Sequence, residues 1–154
     1  MLYIRGFLTT GVKMKTIKIP LNSEEKRQAS LAMSKGKIKI GLDEQIEGTA
    51  RFVSSLGYSH IYIPVKGTTD RQIHRELNAQ NVKFFFTENN VDFLPFKDRR
   101  YMLVGVKYLR VYEGVDRARI IASFLNVFRS KVNWEIVHMS AAEIDQEMIF
   151  KYKL

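Results

Sequence analysis

The sequence contains no cysteine. That excludes disulfides, thiolate nucleophiles and cysteine-ligated zinc, and it suits a cytoplasmic protein. No apolar run approaches the roughly 20 residues of a membrane span, so no membrane partner is expected. The opening residues, Met1 to Leu8, carry too short an apolar run for a secretory signal. Neither a P-loop nor a G-x-G-x-x-G follows any strand-like run, which removes the commonest phosphate-binding loops. His60, His74 and His138 fall on separate elements without metal-ligand spacing. There is no linker rich in Pro, Gly or Ser, no low-complexity tract and no solenoid repeat. These absences describe one α/β-sized unit rather than an array or a tethered pair.

What is present is charge, unevenly spread. The 154 residues carry a net charge of +9. Residues 1–36 hold seven Lys/Arg against two acids, residues 37–92 seven against seven, and residues 93–154 eleven against seven. A neutral middle rich in acids thus lies between basic flanks. A basic exterior favours polyanion partners through phosphate neutralisation and counterion release.

Residues 1–36 read as an N-terminal extension. Met14 opens a second candidate start, so residues 1–13 are either a misassigned beginning or a frayed extension. Asn22-Ser-Glu-Glu25 has the form of a capping box for a helix over 22–35, with few apolar residues to bury. That helix is expected to be a surface element or a partner-binding arm. Residues 37–154 read as the domain. Strands are expected at 37–42, 60–65, 83–86, 100–107 (extending toward Tyr112) and 134–139. Apolar spacing predicts helices over 45–56, 70–79 and 115–128. Thr69-Asp-Arg-Gln72 is a second capping box. Residues 140–143 could cap a short helix, while 148–153 could equally form an edge strand. This alternation predicts one mostly parallel sheet of about five strands with helices on both faces.

Three of the strand-like runs end in polar, mostly acidic residues: Asp43-Glu44, then Asp70 after Thr68-Thr69, then Thr87 to Asp92. In an open α/β sheet the carboxyl edge is where ligands bind. Each acid has a local explanation as well. Asp43 can be an N-cap, Asp70 is favoured in a first helical turn, and Asp92 can be a turn residue. Their recurrence on one edge goes beyond capping. Converging carboxylates would repel unless a cation joined them, and Mg²⁺ or Mn²⁺ suits oxygen ligands. Lys66, Arg71, Arg75, Lys97, Arg99 and Arg100 are expected to hold a phosphate backbone nearby. Asp70 and His74, one helical turn apart, suggest an ion pair.

The order Leu42-Asp43-Glu44, Asp70 opening a helix, and Phe85-Phe86-Thr87 through Asp92-Phe93 resembles the PIN-like nucleases. The branch it looks most like is the toxin–antitoxin type related in fold to the Mut7-C domain. The resemblance spans about residues 37–140. It implies a Rossmann-like fold, Mg²⁺ or Mn²⁺, cleavage of single-stranded RNA, a small antitoxin protein as partner and, as an expectation, a homodimer. Asp43, Asp70 and Asp92 would be the catalytic, metal-holding acids. The chain departs from the pattern in the third motif. One residue is inserted, and either register sets asparagine, Asn89 or Asn90, where the family has an acid. Asparagine offers a carbonyl oxygen without charge. Asn89, Asn90 and Glu88 are therefore further candidate ligands, with Glu76 as another substitute. Without one of them the domain would be an impaired nuclease that binds RNA or a protein.

Overall fold

In the computed structural model, Ser23, Glu24 and residues 34–131 and 141–152 are described. The expected 22–35 helix and the expected strand at 134–139 lie outside these residues apart from helical Ser23 and Glu24 and the turn at 34–35. The elements run β1 (Lys39–Leu42), a 3₁₀ turn (Glu44–Thr49), α1 (Ala50–Ser55), β2 (His60–Tyr62), α2 (Asp70–Ala79), β3 (Phe84–Thr87), a 3₁₀ turn (Asn90–Phe93), β4 (Met102–Gly105), a 3₁₀ turn (Lys107–Val111), α3 (Gly114–Lys131), β5 (Ala141–Glu143) and α4 (Gln146–Tyr152). The sheet is parallel throughout, in the order β2-β1-β3-β4-β5. This is a single α/β domain of Rossmann-like type.

Phe84-Phe85-Phe86 shows how the sheet divides two layers. Side chains alternate across a strand. Phe84 and Phe86 meet Phe124 of α3 edge-on, at ring distances of 6.2 and 5.8 Å. Phe85 faces the other way, toward Phe93 and Tyr101 at 5.1 and 6.1 Å. The first layer gathers Ile40, Leu42 and Val104 with residues of α1, α3 and α4, and the second gathers Leu103 with Ile73 and Leu77 of α2. Each fully buried phenylalanine stabilises the fold by roughly 1.5–3 kcal/mol in transfer alone.

Several boundaries differ from the sequence expectation for identifiable reasons. β2 stops at Tyr62 because Pro64 has no N–H to continue the ladder. The expected helix over 45–56 begins instead as a 3₁₀ turn with a kink at Ile46 (φ −122°, ψ 18°), and becomes α-helical only at Ala50. β4 is shorter than 100–107 and does not reach Tyr112. Val106 turns out of extended geometry (φ −126°, ψ 23°) and donates to the Thr87 carbonyl, and a 3₁₀ turn follows. Of the two alternatives for the C-terminal segment, the short helix forms, over 146–152, and no edge strand replaces it; it starts later than expected because 141–143 form strand β5. The Thr69–Gln72 capping box is present, with both hydrogen bonds at 3.3 Å. No described helix is long and apolar enough to cross a membrane.

Gly41 lets α2 close onto β1. A Cβ there would stand 2.8 Å from Phe85 Cδ1 and 3.0 Å from Leu77 Cδ2. Gly41→Ala is expected to destabilise the domain by about 1–3 kcal/mol through overpacking. Urea unfolding followed by circular dichroism would register this as a lower midpoint with little change in slope.

Candidate active site at the carboxyl edge of the sheet

β1 and β3 are neighbours at the centre of the sheet. The chain leaves β1 for β2 on one side and returns to β3 on the other. Their carboxyl ends therefore border the crevice at the topological switch point, where open α/β sheets bind ligands. Asp43 stands there, 5% exposed. Its backbone N–H continues the ladder to the Phe86 carbonyl at 3.0 Å. One carboxylate oxygen accepts from the Glu44 N–H at 2.8 Å, capping the 3₁₀ turn. The other accepts from the Thr87 hydroxyl at 2.6 Å. Asp43 is thus both the expected cap and a carboxylate held in place by the next strand.

Asp70 begins α2 behind its Thr69 cap, and Asp92 lies in the 3₁₀ turn after β3; both are exposed. The structure brings them toward Asp43. Partial burial raises the Asp70 pKa above its ordinary 3.8, and the charges of Asp92 and Asp43 raise it further. On α2, Glu76 accepts a hydrogen bond from the Tyr62 hydroxyl. Burial, then the hydrogen bond to Glu76 and the charges of Glu76 and Asp43, push the Tyr62 phenol well above its usual range. Tyr62 thus lies between Glu76 of α2 and the Asp43 side of the crevice.

The remaining third-motif residues are occupied otherwise. Glu88 accepts from Arg110 at 3.2 Å, on the β4 side. The Asn90 side chain packs over Gly105: a Cβ on that glycine would meet Asn90 Cγ at 2.9 Å. Asn89 is exposed, and its N–H donates to the Thr87 hydroxyl at 3.1 Å. Its carbonyl accepts from the Asp92 N–H at 3.1 Å, which shapes the turn carrying Asp92. Among the described residues, no three His, Cys, Asp or Glu side chains form a group that could hold a metal ion as they stand. The donor chemistry nevertheless suits a hard divalent cation. The oxygens are carboxylate, they repel one another, and Asp70 and Asp92 are exposed side chains able to turn.

The six predicted basic residues separate into three groups. Arg71, Arg75 and Lys97 line a cavity of about 550 Å³ together with His74, Phe96 and Asp98. Lys66 is exposed in the turn before α2. Arg99 and Arg100 correct the expectation. Arg99 is buried, and its Nη1 donates to the carbonyls of Phe93, Leu94 and Phe96 at 3.0, 2.9 and 2.8 Å. Arg100 precedes β4, so the parallel sheet carries it to the amino edge. There it lies near Lys83, whose amine is lowered to about 8 by burial and then by the Arg100 charge. The expected Asp70–His74 pair is also absent. His74 bonds Asp98 through Nε2 at 2.7 Å and the Tyr101 hydroxyl through Nδ1 at 2.9 Å. That bond is the main reason the Asp98 carboxyl sits below its ordinary value.

Sequence reasoning passed over Thr87 and Tyr62 as members of the site. Thr87 did leave a signal, as the lone hydroxyl closing an all-phenylalanine strand. Tyr62 left none, because an aromatic at a strand end reads as core.

Fold and crevice define a class: a Rossmann-like α/β domain with an acidic cleft at its switch point. No protein family, curated protein or solved structure matches this chain.

Thr87→Val keeps the shape but leaves a buried carboxylate oxygen of Asp43 without its hydroxyl donor. A loss of about 1–3 kcal/mol in unfolding free energy is expected. Asp70 offers a direct probe of convergence. Its raised pKa means that the stability tied to its protonation is complete below 3.8 and is lost as pH rises through the higher folded value. Asp70→Asn should therefore raise the melting temperature near about pH 7, with no gain near about pH 3. Titration of the Asp70 carboxyl by NMR should move down in Asp92→Asn; an unmoved midpoint would show that the two acids do not interact.

Proposed function

We propose that this chain is a PIN-like, divalent-metal-dependent endoribonuclease acting on single-stranded RNA in the cytoplasm. The observation that carries this reading is the electrostatic convergence of Asp70 with Asp92 and Asp43 at the switch point. Partial burial raises the Asp70 proton affinity first, and the charges of Asp92 and Asp43 raise it further. Asp43, Asp70 and Asp92 would hold Mg²⁺ or Mn²⁺. Bound there, the ion would supply Lewis acidity toward a phosphoryl group and a more acidic water. The chain's own contribution is positional. Thr87 and the Glu44 N–H fix both Asp43 oxygens, while Asp70 and Asp92 remain exposed to turn toward it. Arg71 lies next to Asp70, where a cation would draw a phosphate backbone toward the carboxylates. A small antitoxin-type partner and a homodimer belong to the same reading and rest on the family resemblance.

A second reading has its own observation. Asn89 and Asn90 contribute no charge, Asn90 is packed over Gly105, and Glu88 is paired with Arg110. The third motif then supplies a single acid, Asp92. A domain so arranged would bind RNA, or a protein partner, without cutting it.

Single-stranded RNA incubated with Mn²⁺ separates the two. Under the first reading the wild type cleaves, and Asp43→Asn and Asp70→Asn each lose about a hundredfold or more of the rate. Equal cleavage by wild type and Asp43→Asn would overturn the nuclease assignment. Salt-sensitive RNA binding in EDTA with no cleavage by the wild type would establish the second reading.

A further inference from the structure

We infer that the cavity between α2 and the turn at 94–98 is a nucleotide-binding pocket, separate from the carboxylates, that takes one nucleotide by its phosphate and its base. Its volume of about 550 Å³ is that of a small-molecule site. Its charge is that of an anion site. Arg71, Arg75 and Lys97 face one carboxylate, Asp98, whose Oδ1 is already engaged by His74 at 2.7 Å. Arg71 and Arg75 are four apart on one face of α2, so two guanidinium forks are presented together, the geometry suited to phosphate oxygens.

The pocket also has a flat wall. The Phe96 ring lies parallel to His74, with centroids 4.5 Å apart and planes within 6°. His74 is buried with both ring nitrogens engaged, so it cannot rotate away without breaking two hydrogen bonds. Phe96 is partly exposed beside Pro95. An aromatic ring held this way offers a stacking surface for a base.

The wall is built in advance. The buried Arg99 clamps the Phe93, Leu94 and Phe96 carbonyls, and Phe93 is anchored in turn against Phe85 at 5.1 Å. A turn ordered before the ligand arrives avoids the entropic cost of ordering it on binding. Arg99, expected to touch RNA itself, is on this account a positioning residue for the surface that does.

His74 lies one turn from Asp70, roughly 6 Å along the helix axis. A strand passing the carboxylates would therefore set a neighbouring nucleotide in the pocket. The identification of that nucleotide as part of an RNA chain rests on the ribonuclease reading; the recognition of a nucleotide does not.

The test is binding to the full chain in EDTA of adenosine 5′-monophosphate, adenosine and inorganic phosphate, by titration calorimetry. The monophosphate is expected to bind at least about tenfold more tightly than either fragment. The double variant Arg71→Ala/Arg75→Ala, both exposed positions, should weaken it by at least about tenfold with unchanged thermal unfolding. Phe96→Leu should weaken the monophosphate and leave phosphate alone. No saturable binding of the monophosphate, equal binding by the double variant, or phosphate binding as tightly as the monophosphate would each overturn the assignment. RNA cleavage with Mn²⁺, measured in parallel, reports on the carboxylates separately. Monophosphate binding without cleavage leaves the pocket standing, and cleavage without monophosphate binding removes the pocket alone.

Discussion

The carboxyl edge depends on one buried hydrogen bond, from the Thr87 hydroxyl to Asp43 at 2.6 Å. It joins the ends of the two central strands where the chain reverses its direction across the sheet. An ionised carboxylate at 5% exposure is costly unless its oxygens are satisfied. Thr87 and the Glu44 N–H satisfy one oxygen each, and the same hydroxyl accepts from Asn89. The path after β3 is thereby tied to the carboxylate that ends β1. The turn that carries Asp92 starts from this joint, with the Asn89 carbonyl accepting from the Asp92 N–H.

The layers of the domain follow from strand alternation. Phe84 and Phe86 on one side and Phe85 on the other commit β3 to helices on both faces, and Gly41 lets α2 approach β1 closely. Close packing of α2 brings Asp70 to the crevice and sets Glu76 against Tyr62. The cost is a raised proton affinity at Asp70, from partial burial first and then from the charges of Asp92 and Asp43. Such concentrations of unfavourable charge are typical of sites that work on ligands rather than of surfaces that merely dissolve.

Five of the six predicted basic residues do three different jobs. Arg71, Arg75 and Lys97 line the cavity beside α2. Arg99 holds a turn together from inside. Arg100 belongs to the opposite edge, because in a parallel sheet the residues before a strand and the residues after it lie at opposite ends. Charge alone did not distinguish these roles. Burial and strand direction did.

By itself, the sequence determined the α/β class, the parallel alternation, the α2 capping box and the three acids at strand ends. All of these are local: side-chain period, cap chemistry and turn residues act within a few positions of one another. Only the tertiary structure decided which polar groups meet. Thr87 and Asp43 are 44 residues apart, and His74 finds Asp98 and Tyr101, 24 and 27 residues away, instead of Asp70 four positions before it. The end of β4, the packing of Asn90 over Gly105 and the burial of Arg99 are likewise long-range outcomes. A side chain's partner is chosen by the space left when layers close, and no periodicity along the chain records that space. The Leu42-Asp43 strand end and the Thr87 strand end were each legible in the sequence, and the hydrogen bond between them came only with the sheet.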